Sequence, residues 1–411
     1  MENNQVKKLG NTMELVAGLD MGNGYAKAKI GDQSPFAFPA AVGCVTHSHD
    51  MKAEDIAGVV DDIFNHLDIT YDTPMVSAGA RRYFGRRGMT AGVSVQEFDV
   101  YSQISKANDE LSPILVMGTL AAKALQEYYD EHSTVPSEVV KLHARVALAL
   151  PINEYKRYRK SYTDAYLKGS HFVTIHNFKE PVRFHIIFDD VKVFAEGQSA
   201  QYAIKLKGEG FIQAMLDNLR NQGYEMEGIT AHDIMSVRNT VGVDIGEGTV
   251  NFPVFQEGDF APDASITYHQ GYGSVITRAM DRLQEGGMAF SSRKSLTEFV
   301  QTTPSATLRK RHAKVSAILE EETLGFASEI NMEFVKILNR VNSSNEAVYV
   351  YGGGATPLEK ILMPLLLKTL KSFDSEETPV LYLDSRYSRY LNVVGLYLVA
   401  EGLARKAKAS S

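Results

Sequence analysis

Hydrophobic and polar positions along this chain alternate in a way that predicts strands interleaved with helices. Leu15–Ile30 reads as a β-hairpin, because two β-prone runs flank Gly22-Asn23-Gly24, residues that tight turns select. Gly31–Val100 is less regular; it carries an expected short helix at Ala53–Leu67 and reads as an inserted subdomain. Ser112–His132 has apolar residues at helical spacing, with Ser112 suited to cap and Pro113 to the first turn. Val139–Pro151 passes from alternation into an unbroken apolar run, as a central strand does, and Pro151 ends it. A helix from Asn153 to about Leu167 follows, then strands at His171–Ile175 and Val182–Phe194. The pattern becomes helical at Glu196 and again at Gly210–Gln222. Beyond a second glycine hairpin, a helix opens at Gly271-Tyr272-Gly273 and Ser291–Val341 is dominated by helix. Strands at Val348–Tyr351 and Val380–Leu383 and a closing helix at about Tyr390–Ala404 complete the pattern. Strands alternating with helices predict an α/β fold whose sheets are covered by helices.

One phrase is written twice. Gly18-Leu19-Asp20-Met21-Gly22-Asn23-Gly24 returns as Gly242-Val243-Asp244-Ile245-Gly246-Glu247-Gly248. Glycines at such a turn tolerate φ > 0 and let backbone approach a ligand. Successive turn N–H groups form a concavity suited to phosphate oxygens. The preceding Asp is placed to hold a hydrated Mg²⁺, which prefers carboxylates, waters and phosphates. A single Asp before a glycine turn is explained by local hydrogen bonding alone. Two copies point to two related domains gripping one polyphosphate.

Composition narrows the function. At 411 residues the chain exceeds what one hydrophobic core supports, and 44% hydrophobic with 23% charged is ordinary for globular domains. A lone cysteine, Cys44, excludes an internal disulfide framework and fits a reducing compartment. A net charge of −7 argues against the whole surface binding nucleic acid. No apolar run is long enough for a membrane span, and the polar stretch Met1–Thr12 reads as a loose arm rather than a secretory signal. The histidines and the cysteine show no metal-ligand spacing, and no Gly-Lys-Ser/Thr sequence of the P-loop kind is present. Basic clusters stand at Arg81-Arg82, Arg86-Arg87 and Arg309-Lys310-Arg311; each is first of all a solvated face, and second a place for an adaptor, a filament neighbour or DNA.

Taken in order, these segments resemble the actin superfamily. Asp20–Lys27 is similar to actin's first phosphate loop, and Asp244–Gly258 to its second loop and following strand. Val348–Pro357 resembles the adenosine loop. Glu196–Ala203 and Tyr390–Gly402 resemble the two connecting helices. Within the superfamily the chain most resembles the ParM-like bacterial actins that segregate plasmids. Val146–Glu154 and Glu196, where eukaryotic actin has Gln, carry that closer likeness. Asn23 stands where the family usually has Ser or Thr.

The resemblance implies an actin-like ATPase fold, with two related α/β domains around a nucleotide cleft. It implies an arm at 1–12, a first domain at 13–205 with an outer subdomain near 46–99, a second at 206–389 with an outer subdomain near 286–345, and a helix at 390–411 returning to the first domain. ATP or GTP would be held by Gly22, Asn23, Gly24, Tyr25, Lys27, Gly246, Glu247, Gly248, Thr249, Gly352, Gly353, Gly354 and Ala355. Asp20 and Asp244 would hold Mg²⁺ through water, and Glu196 with Asp244 would direct the attacking water. The implied task is a cytoplasmic filament that separates plasmid copies through a small DNA-binding adaptor of the ParR type on a centromere-like site, with no direct DNA or membrane contact. Two other readings stay open: a small-molecule kinase of the same superfamily, and another bacterial actin acting as a cytoskeletal scaffold.

Overall fold

The computed structural model describes residues 11–46, 56–99, 104–224, 226, 228–375 and 377–410. Most of the expected arm at 1–12 and the start of the helix expected at Ala53 lie outside the described residues. The chain divides into two compact units, Met1–Ala203 with Asn392–Ser411, and Ile204–Leu391.

The first unit is built on a ten-stranded sheet. Its strands are β1 (Thr12–Met21), β2 (Tyr25–Ile30), β3 (Phe36–Pro39), β4 (Ala41–Val45), β5 (Asp68–Asp72), β6 (Arg81–Phe84), β7 (Ser94–Glu97), β8 (Val140–Leu150), β9 (His171–Ile175) and β10 (Val182–Ala195). They lie in the order β3-β2-β1-β8-β10-β9-β5-β6-β4-β7. The central strands β1, β8 and β10 are parallel, and the strands outside them antiparallel. The irregular segment after Gly31 therefore extends this sheet, with β5 pairing to β9.

The helix Leu111–His132 lies against the sheet, buried on every side from Leu111 to Leu125. Ser112 does not cap it. The Ser112 hydroxyl bonds Tyr162, and Asp109 accepts the Leu111 N–H instead. On a second face, Leu396 and Ala400 of the helix Leu391–Ser410 meet Ala147, Ala149 and Phe194. The approach there is close enough to demand glycine. A Cβ on Gly395 would stand 2.0 Å from the Ser199 carbonyl oxygen, and one on Gly18 would stand 2.3 Å from the Tyr397 nitrogen.

The second unit has a seven-stranded sheet: β11 (Thr240–Ile245), β12 (Val250–Phe252), β13 (Val254–Gln256), β14 (Asp259–Phe260), β15 (Ile266–Tyr268), β16 (Ala347–Tyr351) and β17 (Val380–Tyr382). β12 and β13 both run back along β11. Pro253 separates them because it has no N–H to give the ladder, yet its carbonyl accepts from Gly242. β11, β16 and β17 are parallel, as β1, β8 and β10 are. Helices Tyr272–Glu285, Arg293–Gln301 and Arg309–Arg340 share a separate apolar cluster of Ile276, Leu283, Leu296 and Val315.

Candidate functional site

The repeated phrase folds into the same object twice. In the first unit Asp20 pairs with Lys27 and Met21 with Ala26 across β1 and β2. In the second, Asp244 pairs with Asn251 and Ile245 with Val250 across β11 and β12. The turns close alike: Gly22 N–H donates to the Tyr25 carbonyl at 3.1 Å, and Gly246 N–H to the Thr249 carbonyl at 2.9 Å. Asp20 and Asp244 are therefore equivalent positions, and both are buried, 6% and 5% exposed. A buried carboxylate is retained where a cation or donors answer it. Asp20 has Lys27, whose Nζ lies 3.6 Å from Oδ2.

The glycines of the two turns are not in the left-handed region that the sequence allows for. The positive φ falls instead at Gly352, at 101°. A Cβ there would meet the Ile245 oxygen at 2.3 Å and the Asp244 carboxylate at 2.7 Å. Gly352 thus lets the end of β16 lie directly against Asp244. Gly354 N–H donates to the Ile245 carbonyl at 2.8 Å, and Tyr382 and Ser388 hydroxyls hold the carbonyls of Ala355 and Gly352. Gly352–Ala355 is thereby locked beside the second turn, and a Cβ on Gly353 would stand 3.8 Å from the Arg389 stem.

Two glycines whose spacing reads in the sequence as a helix start belong to this site. Tyr272 and Gly273 N–H groups donate to the Gly246 and Glu247 carbonyls. A Cβ on Gly271 would strike the Glu247 carbonyl at 2.4 Å. Arg293 adds an ion pair to Glu247 at 2.9 Å. The Gly-Tyr-Gly spelling was the available signal, since a mere helix cap needs one glycine and not two.

Glu196 stands where β10 leaves the first sheet. Its N–H donates to the Leu150 carbonyl, Gly197 turns the chain at φ 80°, and the helix Gln198–Lys207 begins one residue later. The Gln198 side chain, which accepts the Ala195 N–H, secures the junction. Glu196 is 9% exposed and receives a hydrogen bond from Lys106 Nζ at 2.7 Å. Burial alone would lower the proton affinity of Lys106. The Glu196 carboxylate, with Asp20 and Glu154, outweighs it and leaves the lysine pKa above its ordinary value.

No group of three or more His, Cys, Asp or Glu residues that could hold a metal occurs among the described residues. A cation at Asp20 or Asp244 would therefore take most ligands from water and phosphate, which suits Mg²⁺. The basic cluster at 81–87 is largely answered from within. Arg81 forks onto the fully buried Asp68 at 2.6 and 2.7 Å, and Arg87 donates to the His66 carbonyl. Arg311 lies over the Phe290 and Phe299 rings.

A family described as actin-like protein N-terminal domains matches residues 18–198, and one described as the C-terminal part of archaeal actin homologues of the MreB kind matches 242–364. Both families are actin-like, and the two matches together span most of the chain. Solved structures agree on the fold. The actin-like protein Alp7A superposes with a TM-score of 0.65 at 15% identity, over 97% of this chain and 99% of that one. Bacillus thuringiensis ParM, solved with ADP, gives 0.61 at 18% identity over 96% and 100%. An archaeal actin homologue gives 0.59 at 14% identity over 94% and 99%. No curated protein matches the sequence. Among the described residues of this actin-like chain, no helix is long and apolar enough to cross a membrane.

Proposed function

We propose that this actin-like protein is an ATPase that polymerises into filaments and separates plasmid DNA copies through a small DNA-binding adaptor. One observation carries the reading: two glycine turns with matched register, each preceded by a buried Asp. Each turn then offers a carboxylate and backbone N–H groups of the kind that hold Mg²⁺ and phosphate. Backbone N–H groups of Asn23, Gly24, Glu247 and Gly248 meet phosphate oxygens, and Lys27 exchanges Asp20 for phosphate. Mg²⁺, held through water by Asp20 and Asp244, would neutralise charge on the phosphates. Glu196 and Asp244 would align a water whose oxygen bonds to the γ-phosphorus as the bond to the bridging oxygen breaks; the Glu196 carboxylate takes the water's proton, and ADP and phosphate leave. Such transfer depends on positioning more than on a strong base. The Bacillus thuringiensis ParM has also been solved with ATP and with AMPPNP, which supports ATP as the nucleotide.

ATP makes contacts through its γ-phosphate that ADP lacks, so hydrolysis shifts the population away from assembly. The net charge of −7 supports a separate adaptor as the DNA-contacting partner. Fluorescent ATP titration of Asp20→Ala and Asp244→Ala tests the site. Each variant should lose about tenfold or more in Mg²⁺-dependent affinity, the scale of one or two charge-assisted contacts. Undiminished affinity in both would remove the site.

A further inference from the structure

The pairing of Lys106 with Glu196 has no part in the scheme above, and no sequence motif drew attention to it. Lys106 opens a short 3₁₀ turn, Lys106–Asn108. The Lys106 and Ala107 N–H groups donate to the Glu154 carboxylate at 3.0 and 2.9 Å, so Glu154, in the first turn of the helix Ile152–Lys168, pins that turn in place. The Lys106 stem is buried at 6% exposure, its ammonium 5.1 Å from the Phe98 ring centroid and 2.7 Å from Glu196 Oε1. The groups around it come from four elements: Asp20 from β1, Glu196 from the end of β10, Glu154 and Tyr162 from the helix after β8, and Phe98 from the segment after β7. Every one of them lies in the first unit.

An exposed Lys–Glu pair swings freely and contributes little. This one is enclosed, and its lysine is fixed through its own backbone, so the carboxylate it holds is fixed as well. We propose that Lys106 is a positioning residue for hydrolysis: it holds the Glu196 carboxylate in the orientation that aligns the attacking water. The proposal rests on the reading of Glu196 given above. Lys106 acts through Glu196 and need not touch the nucleotide.

Single-turnover phosphate release and fluorescent ATP affinity, measured on the full chain for Lys106→Met, Glu196→Gln and the double variant, test it. Glu196→Gln should slow release about 10²-fold, the scale of a lost general base. Lys106→Met should slow release about 10- to 100-fold, as lost partners of a functional side chain do, with ATP affinity held within about threefold. In the double variant the release rate should match Glu196→Gln alone. Because the double variant removes both charges together, it serves even where Lys106→Met does not fold. A double variant about tenfold slower than Glu196→Gln would overturn the proposal, as would a Lys106→Met rate equal to the parent's while Glu196→Gln is impaired. A Glu196→Gln rate equal to the parent's would remove the role of Glu196, and the proposal with it.

Discussion

Gly352 shows how one residue can set the geometry of a site. Its φ of 101° is open to glycine and strained for any residue with a Cβ, which here would also run into Ile245 and Asp244. Gly352→Ala should therefore lower ATP affinity about tenfold or more, the equivalent of about 1–3 kcal/mol of strain passed to the site. Gly210→Ala is the control. That glycine is helical, with nothing among the described residues within 4 Å of where a Cβ would stand, and the change should leave affinity unaltered. At this scale the sequence is readable where chemistry is repeated: Asp20, Asp244 and the two Gly-polar-Gly turns announce each other. Lys106 was not readable. It lies between unremarkable neighbours, and only the fold brings it to Glu196, ninety positions away.

Elements were legible wherever hydrophobic period and turn chemistry agreed. Both hairpins, the β8 run into Pro151 and the β10-to-helix change at Glu196 follow from such agreement. The segment after Gly31 was hard to read because β4, β6 and β7 are four or five residues long and join the sheet only through β5 pairing with β9. Short strands stabilised by distant partners carry little period of their own. Ser112 does not cap because the helix starts one residue earlier, at Leu111, which leaves its hydroxyl inside the first turn to bond Tyr162.

The β9 region also carries a pH dependence. His171 Nε2 lies 2.9 Å from the Tyr166 carbonyl and so donates, and in the neutral ring Nδ1 accepts the Thr73 hydroxyl. Burial favours that neutral ring and lowers its pKa from 6.5. Burial lowers His176 and His185 in the same direction. As pH falls through 6.5, the unfolded chain takes up these protons before the folded one. Stability is thus full above 6.5 and declines below it, by up to about 1.4 kcal/mol per pH unit for the buried His171. His176 and His185 are more open to water, which screens their charge, and they add less. Urea unfolding at pH 7.5 and 5.5 should show that decline, and His171→Gln should remove part of it. A midpoint that does not move over this range would contradict the neutral assignment.

On the scale of the whole molecule, two units repeat one plan: a glycine hairpin on a strand whose neighbours on one side are parallel to it. That duplication is what the ordered motifs in the sequence record, and the same fold is kept in solved structures at 14 to 18% identity. Partner surfaces left no such record. The two basic clusters illustrate the reason, since Arg81, Arg87 and Arg311 have partners inside the first or second unit that charge patterning alone does not reveal.

The measurement that tests the central claim most directly is right-angle light scattering with simultaneous phosphate release, after ATP and Mg²⁺ are added to the purified chain. Scattering should rise before phosphate appears and then decay, and Glu196→Ala should prolong the plateau. Flat scattering over a wide protein range, with phosphate transfer only when a sugar or acid acceptor is supplied, would contradict a dynamic filament and point to a kinase.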